Sequence, residues 1–215
     1  VDLVVQIDDS GSGSLIGGTC IGAVRTETLE YTYEFVPLEY YQGEIFKSKE
    51  YIKMAGKIVL MLLDKLNLRN DEELQICNGY MFDVAKKYLD TKKISYISAK
   101  IGDPLQTMIE KTFQNYALSL GLPPQYVKYT KYPLHFHKIL RWVYADYAKR
   151  APLCKTGWKS WSKYGRLKVS VEEDIIYADN YICLRCGMAI QKGTRVQRLE
   201  YTSNCSNIIY LHRRC

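Results

Sequence analysis

The order of apolar and polar positions predicts a strand-rich N-terminal third followed by alternating helices and strands. Val1–Ile7 is β-branched and weakly alternating, and reads as a buried strand. Thr19–Arg25 and Leu29–Pro37 read as two further strands, joined by a short hairpin turn at Thr26–Thr28. Over residues 48–66 the period changes. Ile52, Ala55, Val59, Leu62, Leu63 and Leu66 recur at helical spacing, and Ser48 stands where an N-cap would. The run Ile58–Leu63 is apolar nearly all round, so this helix is expected to be buried on most faces.

Shorter signals follow. Glu73–Cys77 predicts a strand, Met81–Leu89 a helix and Ile94–Ala99 another strand. Asp103-Pro104 opens a helix to about Ser119, with Asp as N-cap and Pro at the first helical position. Gly121-Leu122-Pro123-Pro124 stops it, and a last helix spans Phe136–Lys149. A mixed sheet covered by helices, an α/β layered domain, is the architecture this order predicts. No internal repeat is present. The longest apolar run, Ile58–Leu63, falls far below the roughly 18 residues of a membrane span, so no membrane partner is expected. Val1-Asp2-Leu3 carries no basic run of the kind that opens a signal peptide.

Composition sharpens this picture in two places. With 47% hydrophobic and 25% charged residues, the chain is neither disordered nor collagenous. The formal charge of +7 is unevenly placed. Residues 1–130 hold 14 basic against 17 acidic residues, and 131–168 hold 10 basic against one acid, Asp146. Residues 169–180 carry four acids, and 181–215 six basic residues against Glu200 alone. A basic C-terminal third on a near-neutral body fits a polyanionic partner, DNA or RNA; the plain alternative is a solvated basic face.

The first loop carries candidate chemistry. Val4–Ser14 reads VVQIDDSGSGS, with acids at the end of the first strand. A carboxylate there can hold a metal, and the glycines let backbone approach a phosphate. The plain reading of Asp8 is a turn residue among good loop formers. The pattern Asp8, Ser10, Ser12 resembles a von Willebrand A-type metal site, but that fold needs a helix where this chain enters the strand at Thr19. It also resembles actin-like ATPases, which need two such domains.

Three hairpin-linked strands, a helix and a fourth strand resemble the ribonuclease H-like superfamily over residues 1–150. That family includes Holliday-junction resolvases and transposase cores. The resemblance implies that Asp8, with Asp9 beside it, holds catalytic Mg²⁺ or Mn²⁺, and that Asp146 supplies the acid of the last helix. Glu110 or Asp83 would complete the set, with Glu44 or Glu50 as a first-helix acid. The chain departs from the pattern at Asn78, where the family expects an acid near the end of the fourth strand.

Residues 155–168 read KTGWKSWSKYGRLK. Lys155, Lys159, Lys163 and Arg166 can neutralise phosphates, and Trp158 and Trp161 can stack unpaired bases. Alternatively the indoles anchor the segment on the α/β body. His135 and His137 flank Phe136 and would point the same way on an extended stretch, a candidate acid/base or metal pair. Cys20, Cys77 and Cys154 read as small buried residues.

The C-terminal cysteines are the most specific signal. Cys183-Leu-Arg-Cys186 is followed 25 residues later by His212-Arg-Arg-Cys215. A C-x₂-C knuckle and an H-x₂-C pair supply four tetrahedral ligands for a structural zinc, leaving no open position for water. Seven cysteines, four at ligand spacing, argue for a reducing intracellular compartment, cytoplasm or nucleus, over a disulfide framework. The stretch Cys183–Cys215 resembles the poly(ADP-ribose) polymerase-type zinc finger and, more loosely, half of a LIM domain. That implies zinc on Cys183, Cys186, His212 and Cys215, and two hairpins.

Together these readings predict a ribonuclease H-like α/β domain over 1–150, a basic aromatic linker over 151–177 and a zinc module over 178–215. The expected function is nucleic-acid binding, with metal-dependent phosphodiester hydrolysis as the candidate enzyme chemistry. A non-catalytic nuclease-like adaptor and a protein-binding zinc module are the rivals.

Overall fold

A computed structural model describes residues 3–127 and 132–215, without the side chains of residues 132–134. Val1 and Asp2 of the first predicted strand, and Lys131 of the basic run, lie outside the described residues. The order begins with β1 (Val4–Ser10), β2 (Thr19–Arg25) and β3 (Glu30–Val36). It continues with α1 (Gly43–Lys47), α2 (Glu50–Lys65), β4 (Glu73–Cys77), α3 (Asp83–Thr91), β5 (Ile97–Ala99) and α4 (Leu105–Ser119). Then come α5 (Pro124–Val127), α6 (Tyr132–Ala145), α7 (Tyr147–Arg150) and α8 (Lys159–Tyr164). The chain ends with β6 (Ser170–Ile175), β7 (Tyr181–Ile182), β8 (Ala189–Ile190), β9 (Arg195–Thr202) and β10 (Ser206–His212).

The molecule is α/β. Its main sheet has the order β3-β2-β1-β4-β5. β1, β2 and β3 pair antiparallel, whereas β4 joins β1 and β5 joins β4 in parallel. β2 is buried along its whole length because both faces are covered. Its Ile21 and Ala23 pack with Val5 and Ile7 of β1 against α2 and α3. Its Cys20 and Val24 pack on the other face against Leu105 and Ile109 of α4. The period-2 alternation of β1 therefore separates Asp8, toward α4, from Asp9.

One buried ion pair locks the far end of this sheet. Arg25 donates from Nε to Glu72 at 2.5 Å and from Nη2 to the Leu66 carbonyl at 2.8 Å. The Glu72 side chain is wholly shielded from solvent. The C-terminus of α2 is thus tied to the end of β2.

Several local expectations are corrected. Ser48 does not cap α2: it closes α1, its hydroxyl bonded to the Ile45 carbonyl, and Lys49 precedes α2 in a left-handed conformation. Asp103 is not the N-cap of α4; Pro104 is, and the Asp103 carboxylate accepts from the Thr107 amide at 3.2 Å. The last helix breaks at Asp146, which leaves α6 and begins α7. His135 and His137 lie on helix α6, not on an extended stretch, so they do not share a direction.

The segment 151–177 is anchored at intervals, with Cys154, Lys155, Trp161 and Ile176 buried between exposed stretches. β6 belongs to it and pairs with β9, giving a second sheet of order β10-β9-β6. Buried residues of that sheet, Val196, Leu199, Tyr201, Ile209 and Leu211, share one core with Phe136, Ile139, Leu140 and Val143 of α6. Leu15 and Ile16 of the first loop join the same core. No helix among the described residues is long and apolar enough to cross a membrane.

Candidate functional site

The four residues of the C-terminal pattern converge. Cys183, Cys186, His212 and Cys215 bring their ligand atoms within 4.8 Å of one another. The Cys183 and Cys215 sulfurs are 3.8 Å apart, and Cys186 Sγ is 3.2 Å from His212 Nδ1. Two Zn–S bonds of about 2.3 Å at a tetrahedral angle span about 3.8 Å, the same edge. Three thiols and an imidazole are donors that zinc favours. The four could therefore bind a metal such as zinc.

Local structure explains the convergence. The β7–β8 hairpin carries the knuckle, closed by the Cys183 amide on the Met188 carbonyl at 2.9 Å and the Gly187 amide on the Cys183 carbonyl at 2.8 Å. Gly187 holds φ +79°, a left-handed value that a side chain would strain. His212 ends β10, and its amide donates to Cys183 Sγ at 3.4 Å. Burial pushes the Cys183 thiol up, but amide donors from Cys186, His212 and Arg185 outweigh it and bring it down to about 7. Burial and the neighbouring Cys183 sulfur push Cys215 up to about 11. Arg150 anchors the knuckle to the body, donating to the Leu184 carbonyl at 2.8 Å and the Arg185 carbonyl at 3.0 Å.

A second polar region lies at the end of β1. Burial raises the Asp8 carboxyl above its usual range; a bond from the Cys77 thiol and the Asp9 amide oppose this, and the Glu110 charge adds to it. Asp9 is pushed up to about 6, first by burial, and is held by Ser12 and faced by Asp8 and Lys155. Asp9, Glu110, Ser12 and His135 line a cleft of about 320 Å³. Gly11 in its wall has φ +85°, and a Cβ there would meet the Phe113 ring at 2.0 Å. Burial, then the Lys138 charge, holds the His135 imidazole below its usual value.

The other predicted acids lie elsewhere. Asp83 is exposed at the start of α3. Asp146 begins α7, 3.7 Å from Lys149, and lines a different cleft with Tyr147 and Arg166. Asn78, at the end of β4, accepts a bond from the Ser98 hydroxyl at 2.7 Å. Among the described residues, the Cys/His group is the one cluster of three or more such side chains close enough to hold an ion.

Of the basic aromatic segment, Lys159, Lys163 and Arg166 are exposed. Lys155 is fully buried and Trp161 is 5% exposed, so neither is free to grip a phosphate or stack a base. Lys155 instead donates to the Gly11 carbonyl at 2.6 Å beneath the first loop, and its ammonium lies over the Tyr41 and Trp158 rings. Trp158 is half-buried against the core. Sequence reasoning missed the inward course of Lys155 because it groups with the basic residues that follow it, although the run Ala151-Pro152-Leu153-Cys154 before it is apolar. Cys77 and His135 were visible in the sequence, but nothing local linked them to Asp8 or Asp9.

No protein-family model matches this chain, and no curated protein matches it significantly.

Proposed function

We propose that this chain is a nucleic-acid-binding protein with a ribonuclease H-like body and divalent-metal-dependent phosphodiester hydrolysis at the end of β1. One observation carries the reading: the order β3-β2-β1-β4-β5 puts Asp8 on the central strand, where the α4 residue Glu110 acts on it. The partly buried Asp8 and the exposed Glu110 are both hard oxygen donors suited to Mg²⁺ or Mn²⁺. Asp8 and Glu110 would hold the ion, with Asp9 beside them. The ion, when bound, supplies Lewis-acid activation of water and phosphate. Lys159, Lys163 and Arg166 would contact backbone phosphates, and the Cys/His centre would order the C-terminal sheet with zinc.

The test is cleavage of labelled single-stranded, duplex and branched DNA and RNA with Mg²⁺ or Mn²⁺. Asp8→Asn and Glu110→Gln are expected to lower cutting at least about 100-fold, the scale of losing transition-state charge stabilisation. Asp146→Asn is expected to leave it within a few-fold. No metal-dependent cutting of any substrate, with salt-sensitive binding retained, would overturn the hydrolytic reading.

A second reading, a non-catalytic nucleic-acid adaptor, is favoured by Asn78. It stands where an acid would complete the metal set and is engaged by Ser98 instead.

A further inference from the structure

A cleft of about 670 Å³ opens where α6 and α7 meet the C-terminal sheet. Leu167 and Leu199 give it apolar walls, Tyr147 an aromatic one, and Arg166, Arg185 and Asp146 its charge. The volume and the balance of apolar wall to few polar groups are those of a small-ligand site.

The aromatic wall is fixed before any ligand arrives. The Tyr147 ring lies 10° from parallel to Trp161, with centroids 6.4 Å apart, and 23° from Tyr144 at 5.5 Å. Its hydroxyl donates to the Gly165 carbonyl at 2.6 Å. The residue is still 36% exposed, so part of a rigid, supported ring faces the opening. Little conformational entropy is left to lose when something stacks on it.

The charge is arranged for an anion. Arg185 is held by Nε on the Ala145 carbonyl at 3.1 Å, and its terminal nitrogens have no bond among the described residues. Arg166 is exposed and has no ion pair among the described residues. Two guanidinium groups line one cleft, and a phosphate bound there matches their planar donor geometry. The lining acid, Asp146, faces Lys149 instead.

We propose that this cleft binds an unpaired nucleotide, its base against the Tyr147 ring and its phosphate on Arg166 and Arg185. A phosphoserine or phosphothreonine would satisfy the arginines but leave the ring uncovered; a base with its phosphate uses both. The nucleotide can be free or part of a strand, and for the strand the inference rests on the nucleic-acid reading above. It does not depend on hydrolysis at Asp8.

The test uses the full chain and fluorescence anisotropy of a short labelled oligonucleotide, single-stranded and as duplex. Competitors are an unlabelled mononucleotide and inorganic phosphate. Single strand is expected to bind more tightly than duplex, and the mononucleotide to compete far better than phosphate. Tyr147→Leu should raise Kd about tenfold or more, from the loss of base stacking. Tyr147→Phe keeps the ring and should stay within about twofold, which separates stacking from folding. Arg166→Gln should lower the slope of log affinity against log salt by about 0.7 for one lost contact to a single strand.

Folded Tyr147→Leu and Arg166→Gln proteins that bind the strand as the wild type does would overturn the cleft while leaving nucleic-acid binding intact. Phosphate competing as well as the mononucleotide would overturn it too, leaving an anion site without base recognition. Mononucleotide binding read directly by calorimetry and lost in both variants, with no oligonucleotide bound, would support the cleft and remove the nucleic-acid reading. Binding of neither would overturn both.

Discussion

The Nζ of Lys155 lies 2.6 Å from the carbonyl oxygen of Gly11, so a wholly buried ammonium holds down a loop 144 residues upstream. Burial, partly offset by the Asp9 charge, holds this lysine down to about 7 against a usual 10.5. Between those values the unfolded chain binds the additional proton, so this group makes stability rise with pH across that window. Asp9 acts in the opposite sense. Raised from 3.8 to about 6, it makes stability fall as pH rises through that lower window.

Lys155→Met should therefore abolish the rise in stability above about pH 7, read by chemical denaturation at several pH values. At neutral pH its net cost should stay within about 2 kcal/mol, because the lost bonds to carbonyls are offset by relief of ammonium desolvation. Lys155→Ala leaves a cavity as well and should cost about 2–5 kcal/mol. An unchanged slope above neutral pH in Lys155→Met would show that this amine does not titrate in the folded protein.

The Cys/His centre gives a second expectation. The purified chain should carry one zinc, measured by elemental analysis, and chelation should loosen β9 and β10 to hydrogen exchange. Cys183 is fully buried and accepts the His212 amide, whereas Cys215 is exposed. Cys183→Ser should thus lower the melting temperature more than Cys215→Ser. Arg150→Ala, which frees the knuckle carbonyls, should weaken zinc retention about 10–100-fold. Equal melting of the two serine variants would count against a buried role for Cys183.

Trp161 supplies a third. It packs in the core shared by α6 and the C-terminal strands and stacks under Tyr147. Trp161→Ala should destabilise by about 3–5 kcal/mol in urea titration. A surface indole would cost less than about 0.5 kcal/mol, so the size of the effect separates anchor from displayed ring.

Much of the main sheet was legible from pattern alone. The strands at Thr19–Arg25 and Glu73–Cys77 have the bounds read from sequence, because the first is a mostly apolar run and the second alternates polar and apolar positions, each next to turn residues. Helix ends were read less well. Ser48 and Asp103 are good capping residues, but each bonds locally in another way, and tertiary packing sets where α2 and α4 begin. The Cys/His set was legible because knuckle spacing is a property of one turn. The neighbours of Asp8 were not, since Glu110 and Cys77 reach it only through the sheet topology. Asp146 looked suitable on a continuous helix, and the break there sends it to another cleft.

The placement of Leu15 and Ile16 in one core with α6 and the C-terminal strands limits how this chain can be divided. A fragment ending near residue 150 would leave the apolar side of α6 bare and take from the first loop the lysine that secures it. The end that carries the Cys/His cluster is therefore not a portable appendage. It is the other half of a wall that the first loop and α6 complete.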